Sequence, residues 1–298
     1  MSSFLPKPII SILNFFKWIL IFLSVILPAY YGWTYYELPI QERPYHELHH
    51  LLKPGGFTGH WYGVAGSLLM LIGVVSYSMR KRARFLYQKG PISAWMNFHI
   101  FCCLVGPILV IWHTAFKVNG LVSISFWSMI LVLLSGIIGR FFYAQIPRAQ
   151  NGVELDIESS KKEIENLTHE IFAAFKTDDS FRHKVEQLMK FPEGLHDQRS
   201  LKTIQLVFMD DFNRLFTKRK VMNVLEKEFQ IPKNNLKTLS GLMHSRALLA
   251  RKLATVKLFR SLLHYWHVFH LPFALIMLII MLIHVGVALW MGYGYNLL

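Results

Sequence analysis

Two stretches decide how this chain is read: HIFCCLVGPILVIWH at 99–113 and HLPFALIMLIIMLIH at 270–284. Each begins and ends on histidine, so His99 and His113, like His270 and His284, stand fourteen residues apart inside an apolar run of membrane length. In an α-helix that interval rises about 21 Å and makes nearly four turns, so each pair projects from one face toward opposite sides of a bilayer. An imidazole in hydrocarbon is costly without a partner, and haem iron is a partner that suits the neutral ring. The pattern therefore points to two haems, with these four histidines as axial ligands.

The interval alone carries little weight. His46 and His60 repeat it across the helix-breaking Pro54, Gly55 and Gly56, and His169 and His183 repeat it in a polar region, in a chain with 14 histidines. Only the 99/113 and 270/284 pairs have both members in apolar helices. The plain alternative is four unrelated histidines lining helix contacts or a proton path.

Composition sets the class. Of 298 residues, 53% are hydrophobic and 14% aromatic, too apolar for an ordinary soluble domain. The net charge of +14 does not imply nucleic acid, because the basic residues flank apolar runs and are not interleaved with a nucleic-acid motif. The two cysteines, Cys102 and Cys103, are adjacent and read as small packing residues. With no CxxCH or CxxC group, a covalently attached haem or an iron–sulfur cluster would reside on another subunit. Lys7 and Lys17 precede an apolar run at 18–27, but no small-x-small cleavage site follows, so a retained anchor is expected.

The expected fold is an all-α integral membrane protein with five transmembrane helices, near 9–34, 60–79, 94–116, 121–145 and 262–291, a four-helix haem-binding bundle and a helical cytoplasmic insert. The expected organisation is an anchor helix and outer loop at 1–59, helices two to four at 60–145, the insert at 146–261, and the fifth helix with an outer tail at 262–298. Arg80, Lys81, Arg82, Arg84 and Lys89, without a nearby acid, mark the cytoplasmic side; the acidic loop with Glu37, Glu42 and Glu47 faces outward. The N-terminus is then inside, the C-terminus outside, and the third and fifth spans run in the same direction. Parallel spans pair His99 with His270 on the inner side and His113 with His284 on the outer side.

In the insert, Ile157, Ile164, Leu167, Ile171 and Phe175 fall mostly at helical intervals, and the proline-free stretch 236–270 reads as one helix entering the membrane. The insert carries neither a GxGxxG fingerprint nor a GxxxxGK[ST] loop, so it is assigned no nucleotide and reads as a docking or folding module.

Around the four histidines, Gly106 lies seven residues from both His99 and His113, where a porphyrin edge could approach the helix. Gly63, Gly66 and Gly73 form a stripe on the second span, and Gly136 and Gly139 another on the fourth; ordinary close helix contacts explain such stripes equally well. Arg140 is the candidate partner for haem propionates on the inner side and Lys117 on the outer, with interfacial snorkelling the alternative. His264 and His267 complete an HxxHxxH run with His270 and read as interfacial residues, or as an alternative ligand or a proton acceptor at a quinone site. A less favoured third haem would use His60 or the outer-loop histidines. The HxxHH box at His46–His50 matches a ligand box of membrane di-iron desaturases, but no partner HxxxH box accompanies it.

With these ligands on parallel spans separated by one helix, the chain resembles the dihaem b-type cytochromes: the cytochrome b core of quinol-oxidising complexes and ferric-reductase-like membrane domains. The resemblance covers the second to fifth spans. It implies two haem b groups, transmembrane electron transfer, and service as the membrane subunit of a larger redox complex in a bacterial inner membrane. Quinone, cytochrome c, and an iron–sulfur or flavin protein are the partners it suggests. The chain departs from those families by its extra leading span, its large insert and its lack of a flavin or nicotinamide domain. The run 135–140, SGIIGR, and Ile146-Pro147-Arg148 stand out as signatures to which the sequence attaches no chemistry.

Overall fold

In hydrocarbon a backbone must satisfy its polar groups within its own segment, and the long apolar runs of this chain do so as helices. A computed structural model describes residues 7–87, 89–120, 122–148, 155–174, 179–189, 201–229 and 233–292. Phe175 and the tail beyond 292, both read from sequence above, lie outside them. The helices are α1 (Lys7–Tyr36), α2 (His49–Leu52), α3 (Phe57–Arg82), α4 (Ile92–His113), α5 (Val122–Ala144), α6 (Ile157–Ala174), α7 (Asp179–Met189), α8 (Leu201–Phe229) and α9 (Lys233–Trp290). Among the described residues there is no β-strand, and five helices, α1, α3, α4, α5 and α9, are long and apolar enough to cross a membrane. The protein is an all-α membrane protein. Pro28, Pro107 and Pro272 lie within α1, α4 and α9, as membrane helices tolerate.

The chain divides into two compact units, Met1–Gly139 with Tyr265–Leu298, and Arg140–His264. In the first, α3 packs most extensively on α4. Glycine makes this close approach possible: a Cβ on Gly66 would stand 2.7 Å from the Gly106 carbonyl oxygen, and one on Gly106 would stand 2.8 Å from that of Gly66. Met70, Met129, Met277 and Met281 bring α3, α5 and α9 into one buried cluster, with Val110 and Ile111 of α4 against it. Met277 is midway between His270 and His284, as Gly106 is between His99 and His113. Much of α1 is exposed, including Phe15, Trp18 and Phe22, a surface suited to lipid.

Beyond His113 the chain reverses through Ala115 and Phe116, both left-handed, with φ of 47° and 60°. Such residues cost about 1–2 kcal/mol each. The buried Arg43 offsets part of this by donating to the Ala115 carbonyl, and also to those of Tyr36 and Leu38 at 2.9 Å each. One guanidinium thus ties the end of α4 to the end of α1.

In the second unit, Asp156 caps α6 by accepting the Ser159 N–H at 2.6 Å, and hydrogen bonds from Ser159 hold its carboxyl below the usual range. Ile171, Phe181, Val185, Leu225, Leu236 and Leu239 gather α6 to α9 into a core. Arg251, 1% exposed, pairs with Asp210 at 2.6 Å and Asp211 at 2.8 Å and donates to Gln145 at 2.9 Å. Arg251→Met should destabilise this unit by about 1–3 kcal/mol: it removes the cation that faces two carboxylates, but these are roughly a third exposed and Asp211 also accepts from Gln145 Nε2 at 2.9 Å, so part of the lost interaction is replaced. Hydrogen exchange in α8 and the start of α9 is expected to accelerate in that variant; unchanged protection would show that the network contributes nothing.

Candidate functional site

Four half-buried imidazoles lie in the first unit, two from α4 and two from α9. His99 and His270 stand within electrostatic reach of each other, as do His113 and His284. The two clusters sit at opposite ends of α4 and of the membrane-length part of α9, with the methionine cluster between them.

Three of the four rings are oriented by a hydrogen bond at Nδ1. His99 Nδ1 is 3.1 Å from the Gly73 carbonyl oxygen, and His113 Nδ1 is 2.8 Å from that of Gly59. A carbonyl only accepts, so in both rings the proton is on Nδ1 and Nε2 keeps its lone pair. His270 Nδ1 is 2.6 Å from Ser135 Oγ, whose own proton goes to the Val132 carbonyl at 2.9 Å. When the hydroxyl proton goes to that carbonyl, Nδ1 is again the donor. This is the tautomer that a metal-binding histidine needs, with a backbone or side-chain acceptor fixing the ring from behind.

The SGIIGR run acquires a physical role in this arrangement. Ser135 anchors His270. Gly136 lies beside the same ring, with a Cβ placed there 4.0 Å from His270 Cε1. Gly139 makes room for Trp266: a Cβ would stand 2.2 Å from its ring. Trp266 donates its Nε1–H to the Ser135 carbonyl at 2.7 Å and stacks on His270, with centroids 4.5 Å apart and planes at 29°. Tyr77 stacks similarly on His99, at 5.4 Å and 27°. The second glycine stripe serves the α4 histidines: Gly59 and Gly73 supply the carbonyls, and a Cβ on Gly63 would stand 2.8 Å from the His113 ring.

The remaining expected site residues fall as follows. Gly106 is buried against Gly66 and Met70, in the α3–α4 seam. Arg140, in the second unit, is exposed with its guanidinium over the Tyr143 ring. Lys117 is exposed at the turn after α4. His60 joins the His113 and His284 cluster, within electrostatic reach of both. His267 is exposed beside Trp266, and His264 belongs to the second unit.

The HxxHH box is spread among local partners: His46 Nδ1 accepts from the Leu48 N–H, His49 pairs with the Tyr35 hydroxyl, and His50 donates to the Glu47 carbonyl. Among the described residues no group of three or more His, Cys, Asp or Glu side chains is placed to hold a metal ion. His99 instead lies within electrostatic reach of His270, and His113 of His284 and His60. Away from them, an apolar cavity of about 470 Å³ lies between α1, α3 and α4, lined by Leu20, Leu27, Tyr62, Leu69 and Val105 among others.

No protein family, curated protein or solved structure matches this chain in comparison.

Proposed function

We propose that the chain is a dihaem cytochrome b that carries electrons across a membrane through a four-helix bundle of α3, α4, α5 and α9. Two haem b groups would be held axially by His99 with His270 and by His113 with His284. The single observation that carries this reading is that His99, His113 and His270 are all held at Nδ1, with the carbonyl partners of His99 and His113 placing the proton there and leaving Nε2 free. Structural histidines at helix contacts have no need of one common orientation; ligands do.

Bound haem supplies one-electron redox chemistry. The residues of this chain would do the rest. The carbonyls of Gly59 and Gly73 and the hydroxyl of Ser135 hold the imidazoles against rotation and strengthen Nε2 as a donor. Met70, Met129, Met277 and Met281 separate the two sites with a polarisable medium that carries no charge. Arg140 or Lys117 would meet propionates near the interfaces. In a bacterial inner membrane, with the N-terminus inside, the chain would link a quinone or cytoplasmic donor to an outer redox protein as one subunit of a larger complex. The flavin or iron–sulfur centre would belong to a partner.

Ser135→Ala tests the orienting role. Losing an acceptor for Nδ1–H weakens Nε2 as a donor to oxidised iron, so the inner midpoint should rise. A hydrogen bond worth about 1 kcal/mol corresponds to roughly 40 mV for one electron. A redox titration is expected to show the inner step moving by that order with the outer step fixed; equal movement of both steps would mean that Ser135 does not act through His270.

The function itself is tested in vesicles of purified protein with ferricyanide trapped inside and a membrane-impermeant reductant outside. Internal ferricyanide should be reduced at a rate that depends on all four histidines. A protein containing both haems that passes no electrons inward would refute the conduit reading.

A further inference from the structure

Three membrane-length helices, α1, α3 and α4, leave a cavity of about 470 Å³ between them, within the roughly 300–1,000 Å³ span of small-molecule sites. Its lining is apolar apart from Ser24 and Tyr62. The polar atoms of Ser24 are already engaged. Its hydroxyl donates to the Ile21 carbonyl at 2.7 Å. Its own carbonyl, deprived of a helix donor by Pro28, accepts the Trp112 Nε1–H at 3.2 Å. Water in a cavity needs several polar partners, so this lining favours hydrocarbon.

One end of the cavity is polar. Tyr36 closes α1, at the depth where a membrane-length helix leaves the acyl chains. Its ring lies back along α1 over Gly32, where an added Cβ would collide with Tyr36 Cε2. Side chains on a helix lean toward its N-terminus, so the hydroxyl beyond Cε2 points back toward Pro28, which lines the cavity. Tyr36 Oη is buried without a hydrogen-bond partner, and Tyr36 lies within electrostatic reach of Tyr62, another lining residue. A buried hydroxyl is costly without an acceptor. On α4, Phe101, Val105 and Leu109 line the cavity at four-residue intervals, about 100° round the helix from the line of His99 and His113.

We propose that this cavity binds one acyl chain of a membrane phospholipid, with the ester carbonyl accepting the Tyr36 hydroxyl proton. A phospholipid ester joins a long apolar chain to the interface, and the apolar lining and Tyr36 follow one another along α1 in that order. A phospholipid fits better than a quinone, because the lining offers no acid or base to exchange protons and its stripe on α4 is not that of the histidines. The bound chain would fill the space between α1 and the α3–α4 seam. The inference is independent of the haem reading and stands or falls separately.

Native mass spectrometry of the full chain, exchanged into detergent and titrated with dioleoyl phosphatidylcholine, tests it. One saturable site per chain is expected; binding that rises without saturation would overturn the proposal. Leu69→Trp fills the cavity and should abolish that site. A monodisperse Leu69→Trp chain that keeps it would place the lipid elsewhere and overturn the proposal too. Tyr36→Phe keeps the ring and removes only the hydroxyl, so it decides the matter should the larger substitution fail to fold. The unsubstituted chain should bind the diester about fivefold more tightly than its dioleyl ether analogue, which lacks the carbonyls, while Tyr36→Phe should bind the two alike. An ester preference that survives in Tyr36→Phe, or that is absent from the unsubstituted chain, would overturn the role of Tyr36. A solvent extract of the protein as purified should contain at least one phospholipid per chain. Quinone at one per chain, displaced by dioleoyl phosphatidylcholine, would overturn the proposal in favour of a quinone site.

Discussion

Replacing His113 or His284 with alanine is expected to leave purified protein with one haem per chain instead of two, and the haem retained should be the same in both variants. His99→Ala and His270→Ala should together define the other. On the proposed ligation the effect is near complete, because a haem held by a single imidazole loses half its axial coordination. The pairing is what makes the result informative. Antiparallel α4 and α9 would pair His99 with His284, and the variants would then group differently in redox titrations. His60 is the residue most able to disturb this outcome, since it stands within electrostatic reach of both His113 and His284. If His284→Ala retains two haems and the additional His60→Ala removes one, the outer ligand is His60.

Gly106→Ala should lower both haem contents together, a pattern no single ligand variant can produce. A Cβ at position 106 would stand 2.6 Å from Met70 Cγ and 2.8 Å from the Gly66 carbonyl oxygen. The methionine can move; the backbone oxygen cannot without separating α3 from α4. Overpacking of this kind costs about 1–3 kcal/mol. The same seam holds the hydrogen bonds from His99 to Gly73 and from His113 to Gly59, so opening it would free both rings. Gly136→Ala is the control: its Cβ would meet only His270 Cε1, at 4.0 Å, an ordinary contact. Haem content and the thermal midpoint check both variants. Full haem content in Gly106→Ala with an unchanged midpoint would show that the seam does not govern the histidines.

The spans were legible in the sequence because hydrocarbon demands long runs of one character, and α1, α3, α4, α5 and α9 contain such runs. Loop charge gave an expected direction to the spans, and that direction chose which histidines to pair; His99 lies within electrostatic reach of His270, and His113 of His284. The partners at Nδ1 were hidden for a plain reason. Two are glycine carbonyls, and a carbonyl carries no side-chain signal. The third, Ser135, lay in plain view inside the SGIIGR run, but a serine in an apolar helix usually bonds its own preceding turn, as Ser135 also does with Val132. Gly106 showed the opposite difficulty. Its midpoint position suited a porphyrin edge as well as a helix seam, and its contacts with Gly66 and Met70 are those of a seam.

The most direct test of the central claim is the ratio of non-covalent haem to polypeptide in protein purified from cells with an ample haem supply. Two b-type haems per chain are predicted, each with the reduced spectrum of bis-histidine coordination; purified, folded protein that carries none would contradict the account at its root.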